Sequence, residues 1–566
     1  MKKISLVFLV CSLTSMHSSI AQNIYNLTNN RATNENQYNI INKDVDLDLF
    51  DNGFDIDALL GDQEFNNFLD KNECYELSSS FDPVGVLEIL VQQLNILAIA
   101  QEDFYLYTYP PNKRNIVDNA AFYPFIEPKR KRLIGIQPFY NETSRMRFTK
   151  NSDCLRSYVN ICGESLLAEI SKSIDQIKEL FPDFDIDPLV LFPLFGVMTT
   201  QDRQLGIMVH GDKFFRKYHL HVHVPFLYRE RNFYMTEGER RDIEQVLGPS
   251  TGDESDTHFQ EQHLICDKLG IGDTRITFER PVYKFQKMTI YGGVLATIPT
   301  AYAFQTGFMG SSFENRKCDC SFSLPELWDQ ADQGNTEAAT KVGTDLLLSA
   351  LDRLAFVLLD TGLGLDGHFG LGAYFHTKAL LSSYISKSWA RRVTYRGRTS
   401  LEYHFPATEN RLFKQYINPA DYTEENFETD DPDVALSDLY FLSNRFIQKV
   451  CPFKIPAWVH PGVTFRWISS VAYQSGRWSI AYVSDFWFKG WESVEIKKCN
   501  SRFLNSLNIK AGERPYALQS TLGAYFSYTR EEPTYAWTVG LYAGAPYWVE
   551  GIGNDFTLAL NITGHF

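Results

Sequence analysis

The sequence lacks an excess of basic residues: its 566 residues include 54 Lys and Arg against 69 Asp and Glu, for a net charge of −15. Because a nucleic-acid partner usually requires a basic surface, this balance argues against one. The chain after its N-terminus also lacks a run of eighteen uncharged apolar residues, which argues against a membrane-spanning helix. The nearest approach, at 346–360, contains Asp352 and Arg353 and is predicted to be an amphipathic or buried helix.

Motifs of several common enzyme classes are also absent, among them GxSxG, HExxH and the Walker A pattern. The stretch GLGLDG at 362–367 matches a dinucleotide-binding pattern, but the residues HFGLGAYFHT that follow it alternate like a strand, whereas the motif requires a helix. We therefore predict no catalytic residue and no cofactor, and we do not expect the protein to be an enzyme.

The N-terminus carries the pattern of a secretory signal. Lys2 and Lys3 precede the apolar run ISLVFLVCSLTSM, and the small residues of HSSIAQ predict cleavage after Ala21. Cys11 lies inside the apolar run, where the preceding Val10 does not fit a lipoprotein signal. The mature chain has two lysines fewer and a net charge of −17. Export together with 14% aromatic residues leaves a large exported β-rich protein or a membrane barrel.

Alternation of polar and apolar residues is what the sequence has in abundance. Residues 217–226, KYHLHVHVPF, place His219, His221 and His223 at every second position. Successive side chains of a strand point to opposite faces, so the histidines share one face and the aliphatic residues between them share the other. Such a strand fits either a half-buried soluble sheet or a membrane barrel with lipid outside and a wet lumen inside.

The last residues, NDFTLALNITGHF, alternate in the same way and place apolar side chains from Phe556 to Phe566 on one face, with Gly564 between them. A terminal phenylalanine that closes an alternating strand resembles the signature of Gram-negative outer-membrane β-barrel proteins, which the barrel insertion machinery recognises. The resemblance covers this strand and the general pattern of 132–566, and it specifies no single family. It implies the cell outer membrane as the location and outer-membrane lipid as a partner.

The predicted fold is mainly β, a closed antiparallel transmembrane barrel, because an open sheet edge in hydrocarbon would leave backbone groups unpaired. Twelve strands are preferred; fourteen are possible if 141–144 and 211–214 are turns, but one strand would then have about seven residues, short of the 9 to 11 needed to span. Odd-to-even connections are then long and outer, and TTQDR, QSGR and REEP are tight inner turns. The predicted strands are 132–149, 188–199, 203–229, 274–285, 286–304, 366–380, 386–405, 461–474, 477–489, 516–530, 533–544 and 556–566.

Three domains follow from this pattern: a signal peptide at 1–21, an N-terminal periplasmic or plug segment at 22–130, and the barrel at 131–566. The apolar, helix-like stretch 82–100 must be buried, either in the lumen or in the periplasm. The outer connections are predicted to contain extracellular helical insertions. These lie at 165–181, 236–247, 337–360 and 431–450.

Charged side chains on the predicted inner faces would either set a transverse field that selects solutes or pair with one another to fill the barrel. The His-x-His spacing puts two imidazoles about 7 Å apart on one face, which permits metal ligation. No matching acid or histidine pair is evident, however, and no metal is predicted. The lumen-lining candidates are His219, His221, His223, Arg392, Arg396, Arg398, Glu402, His404, Arg466 and Asp485, with Arg275 and Glu279.

Eight cysteines follow Ala21, and none interrupts a predicted strand. Disulfides are their default use in an exported protein, for example Cys154 with Cys162 and Cys451 with Cys499, although spacing does not fix the pairing. The predicted function is an outer-membrane channel or porin-like transporter for small solutes. The alternatives are a surface adhesin or structural outer-membrane protein, and an outer-membrane lipid hydrolase, whose His-x-Ser-Asn-Gly type signature is absent.

Overall fold

The computed structural model of the protein describes most of the barrel and part of the chain before it. The four disulfide candidates and the predicted helices at 165–181 and 236–247 lie outside the described residues. Positions 84, 87 and 91 are helical, as are 359, 434, 435 and 438 within the other predicted helices. The described residues are 84, 87, 91, 104–106, 111–123, 131–144, 159–161, 199–215, 217–234, 265–285, 288–307, 359, 362–383, 385–413, 434–435, 438, 453–497, 504–505 and 507–566.

Twelve antiparallel strands form a closed barrel, which confirms the predicted fold and the preferred strand number. Each strand pairs with its neighbour along the chain, and the last strand closes the ring by pairing with the first, from Asn554 opposite Ser144 to His565 opposite Leu133. The strands are β1 (Arg132–Ser144), β2 (Thr199–Phe215), β3 (Tyr218–Tyr234), β4 (Thr274–Phe285), β5 (Met288–Ile298), β6 (Gly370–Leu380), β7 (Val393–His404), β8 (Thr464–Ser475), β9 (Trp478–Lys489), β10 (Ala517–Glu531), β11 (Ala536–Glu550) and β12 (Asn554–His565).

The alternation along each strand divides the barrel into an apolar outside and a polar inside. In β12, Phe556 and Leu560 are exposed, whereas the residues that follow them, Thr557 and Asn561, are buried. A soluble protein places its residues the other way round, so this surface suits contact with hydrocarbon. Large exposed apolar residues recur on the outward face of the other strands, including Ile134, Ile136, Leu205, Ile207, Phe278, Val294, Leu371, Phe375, Leu401, Ile480, Phe526 and Leu541.

Exposed aromatic side chains gather near both ends of the barrel, as the two interfaces of a bilayer favour. Strands β1 to β12 have 11 to 17 residues each, enough to span the hydrocarbon core. The end that holds the short turns carries Phe215, Tyr218, Tyr283, Tyr473, Trp478, Tyr535 and Phe566, and the other end carries Phe369, Tyr403, Phe405 and Tyr547.

The connections are short at one end and mostly long at the other, as predicted. The chain turns tightly between Phe215 and Tyr218, which pair with each other, and at 476–477 and 532–535; Gly476, at φ +61°, makes the second of these turns possible. The predicted turn at TTQDR is wrong: these residues, 199–203, begin β2, which ends at Phe215 and is followed by β3 from Tyr218. The strand predicted at 188–199 lies outside the described residues except for Thr199, and the predicted strand 203–229 comprises parts of two strands.

Further strands extend the barrel wall at the end with the long connections. Ile265–Ile271 pairs with β3 and with Tyr302–Thr306, which the sequence pattern had merged with β5. Ala407–Phe413, Phe453–His460 and Ser493–Glu495 form a small separate sheet, and Phe104–Leu106 pairs with Val159–Ile161. Cys266 is buried in the first of these strands. Among the described residues, no helix is both long enough and apolar enough to cross a bilayer.

Residues 111–123, which we call the lumen segment, pass through the barrel interior. The segment forms two short 3-10 turns, Ile116–Asp118 and Ala120–Phe122, whose first backbone donors are capped by Asn115 and Asn119. Its apolar side chains form one buried cluster with inward-facing residues of eight strands. The wall residues of this cluster include Phe139, Met208, Leu227, Ile468, Ala481, Val483, Tyr525, Tyr542 and Ala559.

Candidate functional site: an occupied barrel lumen

Two ion pairs of the lumen segment anchor it to opposite parts of the barrel wall. Arg114 pairs with Asp485 on β9, and Asp118 pairs with Arg275 on β4. Arg114 also donates to Oε1 of Gln519 on β10 at 2.8 Å. All of these groups are buried, so each charge depends on its partner for the interactions that water would otherwise provide.

Asparagine side chains give the segment further contacts with the wall. Oδ1 of Asn119 caps a 3-10 turn while its Nδ2 donates to Oγ1 of Thr557 on β12 at 2.7 Å. Nδ2 of Asn112 donates to the carbonyls of Pro515 and Gly551 at 2.8 and 3.1 Å. Asparagine suits this role because it carries both a donor and an acceptor, so one residue can cap the local turn and bind a distant strand.

The GLGLDG loop binds the lumen segment at the end of the barrel that holds the long connections. Nζ of Lys113 lies 2.7 Å from Oδ1 of Asp366 and 3.3 Å from the carbonyl of Gly362. Asp366 and Gly367 both have positive φ, 53° and 89°, which turns the loop into β6. A Cβ on Gly364 would collide with the carboxylate of Asp273, so a larger residue there would have to displace that buried side chain. The motif therefore forms a loop that contacts Lys113 of the lumen segment.

The electrostatics at this end depend on burial and on dense pairing. Burial lowers the pKa of Lys113 to about 8, although the nearby Asp366 opposes that shift. Burial alone would raise the pKa of Asp366, but Lys113 and Arg514 outweigh it and hold the pKa below its usual value. Burial raises the pKa of Asp273 to about 6. Lys113, Asp366 and Arg514 border a pocket that contains about 430 Å³ of empty space, part of it open to solvent.

Charged residues of both signs line that pocket and the wall around it. Asp202 accepts from Arg229 and Arg231 at 2.6 and 2.7 Å. Glu492 pairs with Arg411 and Arg514 at 3.0 and 3.1 Å, and with Lys489 at 2.8 Å. The lining residues are Lys113, Asn115, Asp118, Leu365, Asp366, His368, His404, Pro461, Thr464, Trp487, Lys489, Glu492 and Arg514.

Most of the lumen candidates predicted from the sequence lie on the inner face, in three neighbourhoods. Arg466 joins Asp485 at 3.2 Å, and Glu402 joins Arg275 at 2.8 Å, so four candidates surround the lumen segment. His404 contacts Thr464 at 3.1 Å nearer the outer end. Arg396 is buried, and the guanidinium of Arg398 lies 4.3 Å from the ring centre of Tyr374 and 5.8 Å from that of Tyr123.

Arg392 does not line the lumen, so this prediction is corrected. It is exposed and belongs to the 3-10 helix Ser388–Arg392, which precedes β7. Its Nη1 donates to Oη of the exposed Tyr473 at 3.4 Å, which places it at the rim of the barrel that holds the short turns. The predicted strand 386–405 began too early, because the 3-10 turn precedes the alternating residues.

The three histidines of β3 all face inward and are buried. His219 and His221 contact two carboxylates from neighbouring strands, Asp212 on β2 and Glu279 on β4. His223 faces His210 on β2, with ring centres 6.1 Å apart. The acid partners that the sequence did not reveal are therefore present, and strand pairing supplies them.

Sequence reasoning also missed Lys113, Arg114 and Asp118, which lie in the stretch PNKRNIVDNAAF. A signal is visible in hindsight: two asparagines each precede a short apolar turn, and charges of both signs lie close together. Neither feature says that the segment enters a barrel. The contacts that define it are separated by 157 to 439 residues along the chain.

A closed antiparallel barrel with an apolar belt, aromatic rims and a polar interior defines the outer-membrane class of β-barrel proteins, and this chain has that architecture. A scan against protein-family models and a search of curated proteins gave no match.

Among solved structures, the chain is similar to an outer-membrane channel from Pseudomonas putida F1, with 8% identity, a TM-score of 0.35, and coverage of 78% of this chain and 97% of that one. It is similar to the transport unit of the autotransporter AIDA-I from Escherichia coli, with 5% identity, a TM-score of 0.29, and coverage of 79% and 94%. It is also similar to the toluene transporter TodX from Pseudomonas putida, with 8% identity, a TM-score of 0.26, and coverage of 81% and 94%.

Proposed function

We propose that the protein is a channel for small polar solutes in the outer membrane of a Gram-negative bacterium, closed in this arrangement by the lumen segment. The observation that carries the proposal is that the element filling the lumen is a separate stretch of chain N-terminal to β1. A small barrel can be filled by the side chains of its own strands. A barrel filled by a separate segment can open if that segment leaves, without rearrangement of the wall.

The inner wall supports the same proposal. Once the segment leaves, the lumen presents paired charges and amide and hydroxyl groups, which suit water and polar solutes. The main wall partners of the segment also keep a second partner: Asp485 pairs with Arg466, and Arg275 pairs with Glu402. Release of the segment therefore leaves no orphaned charge at these two positions, which lowers the free-energy cost of opening.

Planar-bilayer conductance of the purified full-length chain tests the proposal. We expect wild type to be mostly closed, with discrete openings. The double variant Arg114→Gln, Asp118→Asn removes both ion pairs of the segment and should raise the open fraction at least about tenfold, since a loss of 1.4 kcal/mol corresponds to tenfold in an equilibrium.

The matched control is Arg530→Gln, which removes an exposed arginine that pairs with Glu532 at the opposite end of the barrel, and it should behave like wild type. The heat-dependent mobility shift of a folded barrel in electrophoresis verifies folding of every variant. If wild type and the double variant are both folded and neither conducts current across the bilayer, the channel proposal is refuted. The adhesin alternative would then be preferred. Equal open fractions in wild type and the double variant would refute closure by the lumen segment.

A further inference from the structure

A compact group of histidines and carboxylates lies in the barrel wall near the end with the short turns. His219 and His221 occupy successive inward positions of β3, and their ring centres are 3.6 Å apart. Asp212 is the cross-strand partner of His221 on β2, and Glu279 is the cross-strand partner of His219 on β4. Three consecutive strands thus direct four metal-binding side chains to one place. Each of these side chains is less than one-tenth exposed.

The four side chains approach one another closely. Nδ1 of His221 donates to Oδ1 of Asp212 at 2.8 Å, and Nδ1 of His219 donates to Oε1 of Glu279 at 2.9 Å. The remaining ring nitrogens face the opposite acids, with Nε2 of His221 3.5 Å from Glu279 and Nε2 of His219 3.8 Å from Asp212. One ligand atom each from Asp212, His219 and His221 lie within 4.8 Å of one another.

Two buried polar atoms of this group have no hydrogen-bond partner among the described residues. They are Oδ2 of Asp212 and Nε2 of His219, the same two atoms that lie 3.8 Å apart. A buried polar atom without a partner costs about 1–3 kcal/mol. A cation bound by both atoms would remove that cost at both positions, because a carboxylate oxygen and an unprotonated imidazole nitrogen are each metal ligands.

The pairing of these acids differs from that of several other buried acids of the barrel. Asp485, Asp118 and Asp202 each pair with arginine. For Asp212 and Glu279, every ion-pair partner among the described residues is a histidine: His219 and His221 for both, and also His376 for Glu279. An arginine would neutralise an acid permanently, whereas imidazole can either protonate or give its lone pair to a metal.

The distances also suit metal coordination. Ligand atoms about 2.0–2.1 Å from a tetrahedral Zn²⁺ lie roughly 3.3 Å apart. The two Nε2-to-carboxylate distances, 3.5 and 3.8 Å, are already near that value. The bond from Nδ1 of His221 to Oδ1 of Asp212 can remain in place and fix the tautomer that leaves Nε2 available.

Neighbouring residues hold the group in position. Oη of Tyr374 donates to the second oxygen of Glu279 at 2.9 Å, which leaves the first oxygen directed at the histidines. The ring of Phe214 stacks on His219 with centres 3.7 Å apart and planes 10° from parallel. Such outer contacts typically change metal affinity by about 10–100-fold when removed.

We propose that Asp212, His219, His221 and Glu279 form a binding site for a divalent first-row transition cation. Two imidazoles and two carboxylates without a thiolate suit Zn²⁺ and its neighbours in that series, and suit Ca²⁺ or Mg²⁺ poorly, since those ions prefer all-oxygen ligands. The bound cation would join β2, β3 and β4 at the end of the barrel with the short turns. The proposal does not depend on the channel function.

The test uses tag-free full-length protein in detergent, stripped with chelator and dialysed against Zn²⁺ or Co²⁺. We expect about one metal per chain by elemental analysis, and a visible Co²⁺ absorption band characteristic of tetrahedral coordination. Asp212→Asn, which preserves the shape of the side chain, should weaken binding at least about tenfold, in line with the loss of a contact of this kind. His223→Gln is the matched control, since His223 lies at the next inward position of the same strand and should leave binding unchanged.

Zn²⁺ should also raise the unfolding temperature of wild type and of His223→Gln, but not of Asp212→Asn. Each protein is compared with itself in the absence of Zn²⁺, so this readout does not require that the variant be as stable as wild type. Metal content below about one-tenth per chain in folded wild type would overturn the proposal. Equal metal affinity in wild type and Asp212→Asn would overturn it as well.

Discussion

Nζ of Lys113 and Oδ1 of Asp366 lie 2.7 Å apart, and this pair joins the lumen segment to the loop that leads into β6. The two residues are 253 positions apart in the chain. The pair is also close to Arg514, whose Nη2 lies 3.6 Å from Oδ2 of Asp366. Asp366 therefore keeps a cationic partner if Lys113 leaves or loses its proton.

Because the charge of Lys113 is buried when the lumen segment is in place, we expect alkaline pH to favour the closed lumen. Its pKa is about 8 when buried and 10.5 in its ordinary state, because burial disfavours the charged form. The buried charge therefore costs about 3 kcal/mol at pH values below 8, and that cost disappears as pH rises from 8 to 10.5. The open fraction in a bilayer should fall between pH 8 and pH 10, although the ion pair with Asp366 is lost.

Lys113→Met should lower the open fraction at pH 7 and abolish its dependence on pH in this range. Lys387→Met, an exposed lysine at the other end of the barrel, should keep the wild-type pH dependence. A wild-type open fraction that rises with pH would show that the ion pair outweighs the cost of burial.

Because the outward face of the barrel is apolar, we expect a charged side chain at the middle of this face to destabilise the protein in lipid. Leu541 faces outward from β11 between Phe526 and Leu560. Leu541→Arg should lower the free energy of unfolding in lipid vesicles by about 2–4 kcal/mol, whereas Tyr535→Arg at the aromatic rim should cost at most about 1 kcal/mol. Urea titration followed by tryptophan fluorescence measures both. Equal small effects would mean that this face does not contact hydrocarbon.

At the end of the barrel with the long connections, Asp202 pairs with two buried arginines, so we expect its substitution to lower the free energy of unfolding strongly. Asp202→Asn leaves Arg229 and Arg231 buried with a neutral partner and should cost about 3–5 kcal/mol of unfolding free energy. The exposed pair of Glu532 with Arg530 is the comparison, and Glu532→Gln should cost at most about 1 kcal/mol. Similar losses in the two variants would indicate that water reaches Asp202.

The strands whose ends carry clear turn residues were predictable to within a few positions. β8, β9 and β10 differ from their predicted bounds by three residues or fewer, because QSGR and REEP supply glycine or a charged, proline-containing turn between apolar alternations. β2 was not predictable in this way. TTQDR resembles a turn in composition, whereas the real turn after Phe215 contains neither glycine nor proline.

That single error hid the histidine and carboxylate site. If 203–229 were one strand, Asp212 would face away from His221, because an odd separation along a strand reverses the face. The chain folds back between Phe215 and Tyr218, which makes Asp212 and His221 direct cross-strand partners. The histidine spacing was therefore visible in the sequence, whereas the acids that complete the group were not.

The sequence by itself determined that the chain alternates, that about twelve such segments exist, and that their apolar faces must contact lipid, because a period of two residues fixes the face of every side chain within a strand. Only the tertiary structure decided which strands present Asp212, His221 and Glu279 to one another, and that residues 111–123 fill the lumen. Alternation is the same whichever residues lie opposite one another. Cross-strand partners depend on where each turn falls, and the occupant of the lumen depends on contacts between residues hundreds of positions apart.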